Sequence, residues 1–239
     1  MHKIVGYAFI LVTALAGHAL AQSYEQQRRQ CTDHSIALDL RLAGCTATVE
    51  ADRERRGTLV VSLTNRASVY TQMGELELAL QDYNQAVRLD PNSGWIFANR
   101  CAAYARMDEY DLAIQDCDRA LRHEPANVLA LSSRGFSYAA KAEHERAIQD
   151  FDLAILLISS NAGVLAARGR SFLATGQTDR AIVDFEAALR LAPKSAEILY
   201  SRGIARQRNG DAAGATADIA AAKAQVPDIA ERMARYGVR

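Results

Sequence analysis

This chain lacks an excess of charge of either sign: 28 Lys and Arg stand against 28 Asp and Glu, without the basic surplus that favours nucleic-acid binding. Past residue 21 no apolar stretch is long enough to cross a bilayer. His34, His123 and His144 are the only histidines beyond that point, and none has a second histidine or a cysteine at metal-ligand spacing. There is no phosphate-cradling glycine loop, no nucleophile elbow and no Cys-x-x-Cys. Asp116 with Asp118, and Asp150 with Asp152, resemble paired catalytic carboxylates. Two helical steps turn roughly 200°, however, and send the two side chains to opposite sides. No catalytic residue, cofactor or metal ligand is assigned.

What the chain does have is a period. Ala79, Ala113, Ala147, Ala181 and Ala215 recur every 34 residues (113 − 79 = 34), and other small and aromatic positions recur with them. A period of this length marks a two-helix unit that buries its apolar face only by stacking on copies of itself. Copies begin at Val60, Gly94, Val128, Ala162 and Ala196. The eighth place is small throughout (Ala67, Cys101, Gly135, Gly169, Gly203), while the twenty-fourth is mostly bulky (Tyr83, Cys117, Phe151, Phe185, Ile219). Ala86, Ala120, Ala154, Ala188 and Ala222 hold the twenty-seventh place, so that one face of the second helix is a narrow alanine seam.

The scarce prolines obey the same period. Pro91, Pro125, Pro193 and Pro227 all fall at the thirty-second place, where a ring without an N–H ends one unit; the third copy has Ser159 there. Ser93, Asn127, Asn161 and Ser195 follow two residues later as helix N-caps. Gly74, Gly176 and Gly210 supply a left-handed turn between the two helices, which Asp108 and Ala142 must adopt without glycine.

This pattern resembles the tetratricopeptide repeat family from Val60 to about Ile229 without a gap. The resemblance implies an all-α fold, an α-solenoid in which tandem helix-turn-helix units form a right-handed superhelix. It further implies a concave groove that holds peptides or proteins. The expected boundaries are 1–21 signal peptide, 22–59 amino-terminal helical cap, five repeats at 60–93, 94–127, 128–161, 162–195 and 196–229, and a capping segment at 230–239. One departure is consistent. The family's usual leucine at the seventh place is Arg66, Arg100, Arg134, Arg168 and Arg202, and Asp82, Asp116, Asp150, Asp184 and Asp218 stand at the twenty-third. We expect a charge ladder in which each arginine pairs with an aspartate of its own or the preceding unit.

Met1 to Ala21 opens on Lys3, continues through the apolar run Ile4 to Ala16 and ends on Ala19-Leu20-Ala21, which reads as a secretory signal peptide. Cleavage after Ala21 places the chain in the periplasm or outside the cell, with no stable membrane insertion. Leu42-Ala43-Gly44-Cys45 has the letters of a lipid-attachment sequence but lies after a charged segment instead of at the end of the apolar run. In an oxidising compartment the four cysteines allow three pairings. Cys31 with Cys45 is favoured, because the pair lies within a degenerate helical hairpin that resembles the cap of exported bacterial repeat proteins. Cys101 and Cys117 are read as two buried thiols, a bridge being the alternative. The charged stretch Glu50 to Arg56, closed by Gly57, reads as a linker, and a final helix from Pro227 to about Tyr236 turns Glu231, Arg232 and Arg235 outward as a polar lid.

The resemblance also implies which first-helix places line the groove: Val61, Asn65, Gln72, Trp95, Asn99, Arg106, Leu129, Phe136, Arg170, Leu173, Tyr200, Ile204 and Arg208. Trp95, Phe136 and Tyr200 are the expected energetic centres. The expected function is a scaffold for a protein or peptide partner without catalysis of its own. Self-association into an envelope structure is the second reading, and an enzyme with an unrecognised site the third.

Overall fold

The computed structural model describes residues 23–51 and 55–238, and every regular element among them is a helix. The signal peptide expected at residues 1–21 lies outside the described residues. The chain divides into two compact units, Met1–Ile96 and Phe97–Arg239.

In the first unit a hairpin of α1 (23–32) and α2 (Leu38–Ala51) precedes α3 (Arg56–Met73), α4 (Leu76–Leu89) and the start of α5 (Gly94–Arg106). A disulfide joins Cys31 to Cys45 across the hairpin, as favoured from the sequence. The two helices cross closely at Gly44, where a Cβ would stand 2.7 Å from the Gln27 carbonyl oxygen. Cys45 is fully buried beside Val69 of α3, which anchors the cap to the first repeat. The linker reading requires correction, since Arg56 and Gly57 already belong to α3, which starts a helical turn before Val60. The reason is local. Arg56 donates through Nε and Nη2 to the Leu89 carbonyl at 3.0 and 2.6 Å, tying the start of α3 to the open carbonyl end of α4.

The second unit holds the rest of α5 and then α6 (Tyr110–His123), α7 (Val128–Ala140), α8 (His144–Leu157), α9 (Ala162–Ala174), α10 (Thr178–Leu191), α11 (Ala196–Arg208), α12 (Ala212–Gln225) and the short α13 (Ile229–Ala234). First helices start at Gly94, Val128, Ala162 and Ala196, the residues at which the period places them. Asn127 and Asn161 accept from the Ala130 and Val164 amides at 2.9 and 3.1 Å, satisfying donors that the helix leaves free. Asp108 and Ala142 both take φ of 61°, the left-handed conformation that glycine supplies in the other copies.

The alanine seam is real: Ala113, Ala147, Ala181, Ala120, Ala154, Ala188 and Ala222 are all buried. From the second repeat onward the eighth and twenty-fourth places meet inside each repeat. A Cβ on Gly135 would stand 2.7 Å from the Phe151 ring, and one on Gly169 2.8 Å from Phe185, so that the missing side chain is the space the ring occupies. In the second repeat those two places are Cys101 and Cys117. They form a disulfide, with Cα atoms 5.4 Å apart, instead of the two thiols expected from the sequence. The packing that brings Gly135 onto Phe151 brings two small sulfur side chains within bonding reach.

Candidate interaction face

Five arginine–aspartate pairs tie first helices to second helices, always within one repeat. Arg66 meets Asp82 in the first unit, and Arg100, Arg134, Arg168 and Arg202 meet Asp116, Asp150, Asp184 and Asp218 in the second. Each is two-pronged, from Nε to Oδ2 and from Nη2 to Oδ1, as for Arg168 at 2.8 and 2.7 Å. The aspartates are buried and the arginines mostly so. Hydrogen bonds to these carboxylates hold the guanidiniums of Arg66, Arg134, Arg168 and Arg202 above their ordinary proton affinity. These arginines are therefore occupied by the fold.

Residues that the sequence reading had set aside extend the ladder between repeats. Arg134 Nη1 donates to Asp118 and Arg168 Nη1 to Asp152, both at 2.6 Å, so each carboxylate two steps past a ladder aspartate reaches the arginine of the following repeat. Asp116 and Asp118 thus serve different partners, as their divergence on the helix implies. Arg206, which stands where earlier repeats have an aromatic ring, closes the series on Asp218 and Glu186 at 3.0 and 3.3 Å. The recurrence of an acid at the twenty-fifth place (Asp118, Asp152, Glu186) was the available signal.

The groove residues expected from the family separate into three groups. In the first unit Val61 and Trp95 are exposed, and with Val60, Leu89, Arg56, Gly57, Asp90 and Ser93 they line an open cleft of about 430 Å³. In the second unit Arg106, Leu129 and Phe136 are exposed, and Asn99 is partly buried. The Phe136 ring packs edge-on against Phe151 with centroids 5.2 Å apart, so its other side is presented outward. Arg170 is half-buried with the Tyr236 ring 5.7 Å away, and Arg208 donates to the Leu173 carbonyl at 3.2 Å.

The third group is a correction. Tyr200 is only 7% exposed, and Leu173 and Ile204 are equally buried. They share one apolar cluster with Ile229, Met233 and Val238, because α13 packs on α11 and covers it. Tyr200 is core in this fold. The final helix ends at Ala234, two residues short of expectation, and Gly237 at φ of 72° turns the chain so that Val238 is buried while Tyr236 projects outward. Glu231, Arg232 and Arg235 face solvent.

Among the described residues no group of three metal-ligating side chains comes together, and no helix is long and apolar enough to cross a membrane. A family model for the TPR repeat matches residues 67–108 and 169–210. Three solved structures share the fold. YrrB, described as a TPR protein with an unusual peptide-binding site, superposes with a TM-score of 0.61 at 21% identity over 80% of this chain and 97% of its own. A tetratricopeptide repeat protein from Parabacteroides merdae gives 0.62 at 23% identity, covering 82% and 77%. MamA AMB-1 gives 0.58 at 18%, covering 71% and 92%. No curated protein sequence matches the chain. The tandem helix-turn-helix architecture and the 34-residue period define an α-solenoid, with the TPR repeat model matching two stretches of it and TPR proteins of known structure sharing its fold.

Proposed function

We propose that the protein is an exported scaffold that holds a protein or peptide partner on its first-helix faces and performs no catalysis of its own. The observation that carries this reading is exposed apolar bulk at fixed first-helix places. Val61, Trp95 and Leu129 occupy the second place of three successive repeats and are each more than 40% exposed. Large side chains of this kind outside the core, beside a cleft of side-chain size, suit the apolar anchors of an extended or helical segment. The peptide-binding site of the structurally similar YrrB supports the reading by analogy. Two disulfides and the amino-terminal apolar run support export to the periplasm or beyond.

Crosslinking in intact cells identifies the partner, and affinity is then measured with the purified pair. Trp95→Ala weakens binding by about 2 kcal/mol or more with helicity unchanged. Equal affinity of the two forms for the crosslinked partner removes Trp95 and its cleft from the interface.

One observation favours a second reading, self-association. At the end of α8, Leu153, Leu156, Leu157 and Ile158 are all exposed, Leu156 by 81%, where the first, second and fourth repeats carry Arg88, Arg122 and Arg190 in the place of Leu156. Sedimentation of the purified chain against Leu156→Arg decides it: a monomer in both forms eliminates this reading.

A further inference from the structure

The ladder arginines have their carboxylates, but Arg170 does not. On α9 it occupies the ninth place of its repeat, and among the described residues it makes no hydrogen bond and no ion pair. Its neighbours in the same register are Phe136 on α7 and Ile204 on α11, and α9 packs against both of these helices. Phe136 is exposed and Ile204 buried, so Arg170 stands between an outward aromatic ring and the apolar cluster beneath α13. The Tyr236 ring lies with its centroid 5.7 Å from the guanidinium carbon.

A half-buried guanidinium without a counter-ion is an unfavourable arrangement for folding alone, because it loses hydration without a paired charge to replace it. Burial lowers the proton affinity of Arg170, and the fields of Tyr236 and Glu197 only oppose that effect from a distance. Glu197 does not close on it, accepting instead from the Ser195 hydroxyl at 3.3 Å. A face ring on one side leaves the guanidinium edge free for the fork geometry in which arginine receives a carboxylate.

We infer that the α7–α9–α11 face of the second unit recognises a peptide segment carrying one acidic side chain, Asp or Glu, flanked by apolar residues, with Arg170 receiving the carboxylate and Phe136 and Leu129 the apolar flank. A single unpaired cation matches a single negative charge, which favours a carboxylate over a doubly charged phosphate. This inference rests on the scaffold reading above and adds the chemistry of the partner. Tyr236 covers Arg170 until the partner arrives and is itself 65% exposed, so its removal leaves the core intact.

The test is selection of peptides by the disulfide-bonded protein from a random twelve-residue library displayed without a free carboxy terminus. The wild-type chain, Arg170→Gln, Arg170→Lys and Tyr236→Ala are compared after circular dichroism shows equal helicity. Wild type and Arg170→Lys enrich Asp or Glu between apolar residues, whereas Arg170→Gln enriches the apolar residues alone. The best peptide loses at least tenfold in affinity when its acid becomes the amide, and less than twofold on Arg170→Gln. Tyr236→Ala binds the acidic peptide at least as well as wild type. Acid enrichment that persists on Arg170→Gln, or apolar enrichment without acid on wild type, overturns the role of Arg170 and leaves the scaffold reading standing. Failure of every form to enrich any peptide overturns both.

Discussion

Arg134 and Asp150 lock α7 to α8 through two hydrogen bonds of 2.8 and 2.6 Å, and the third guanidinium nitrogen of Arg134 reaches Asp118 of the preceding repeat. One side chain thus sets the spacing inside its repeat and the register between two repeats. Arg134→Leu leaves Asp150, which is nearly inaccessible, without a partner, and we expect a loss of about 2–4 kcal/mol. Adding Asp150→Leu restores more than half of it, since no unpaired charge remains buried. Urea unfolding of the single and double variants measures this. Equal midpoints would falsify the ladder as a paired device.

Ala142 takes φ of 61°, a conformation that disfavours any residue with a Cβ. Ala142→Gly relieves about 1–2 kcal/mol of local strain and costs about 0.5–1 kcal/mol in unfolded-state entropy. A net gain of about 0.5–1 kcal/mol follows. Gly176→Ala, at φ of 78°, goes the opposite way by a similar amount. Thermal melts of both variants test the turn assignment, and a change of the same sign in both contradicts it.

The Cys101–Cys117 bridge closes a loop of 16 residues between α5 and α6. Loops of this size contribute about 3 kcal/mol in the chain-entropy picture. Replacing both cysteines with alanine lowers stability by about that amount or somewhat less, and reductant narrows the difference between the two forms. Thiol titration of the unfolded protein finds none before reduction and four after it. Two thiols before reduction would return these residues to the free state.

Tyr83 is buried against α3, and desolvation, only partly offset by hydrogen bonds to Thr71 and Ser68, pushes its phenol up to about 12. The folded value exceeds the ordinary 10, so the neutral phenol stabilises the fold fully below pH 10 and that contribution declines as pH rises through 12. A shift of this size corresponds to about 2–3 kcal/mol at most. Ultraviolet titration of wild type against Tyr83→Phe shows one late-titrating phenol missing in the variant, which also loses less stability between pH 10 and 12. Matching curves remove Tyr83 from the alkaline transition.

Local chemistry was legible where one residue suffices to impose it. The first helices of the second unit begin at the residues the period marks, and the two turns without glycine adopt the left-handed form at Asp108 and Ala142. The ladder was visible as ten matched charges, yet its pairing within each repeat was open, since sequence spacing alone permits either neighbour. The Cys101 reading failed because small residues at the eighth place are equally consistent with a hole for a ring and with a sulfur facing a sulfur. For Tyr200, Leu173 and Ile204 the family places were right as to helix but silent on α13, whose fold-back depends on Met233 and Val238 finding the cluster.

By itself the sequence determined the repeating unit, its alanine seam and the ten matched charges, because each follows from residue type and size at a fixed period. The tertiary structure alone decided which first-helix positions remain open. Exposure is a property of what packs on top, and only the assembled chain shows α13 lying on α11, Tyr236 over Arg170, and Trp95 and Phe136 exposed.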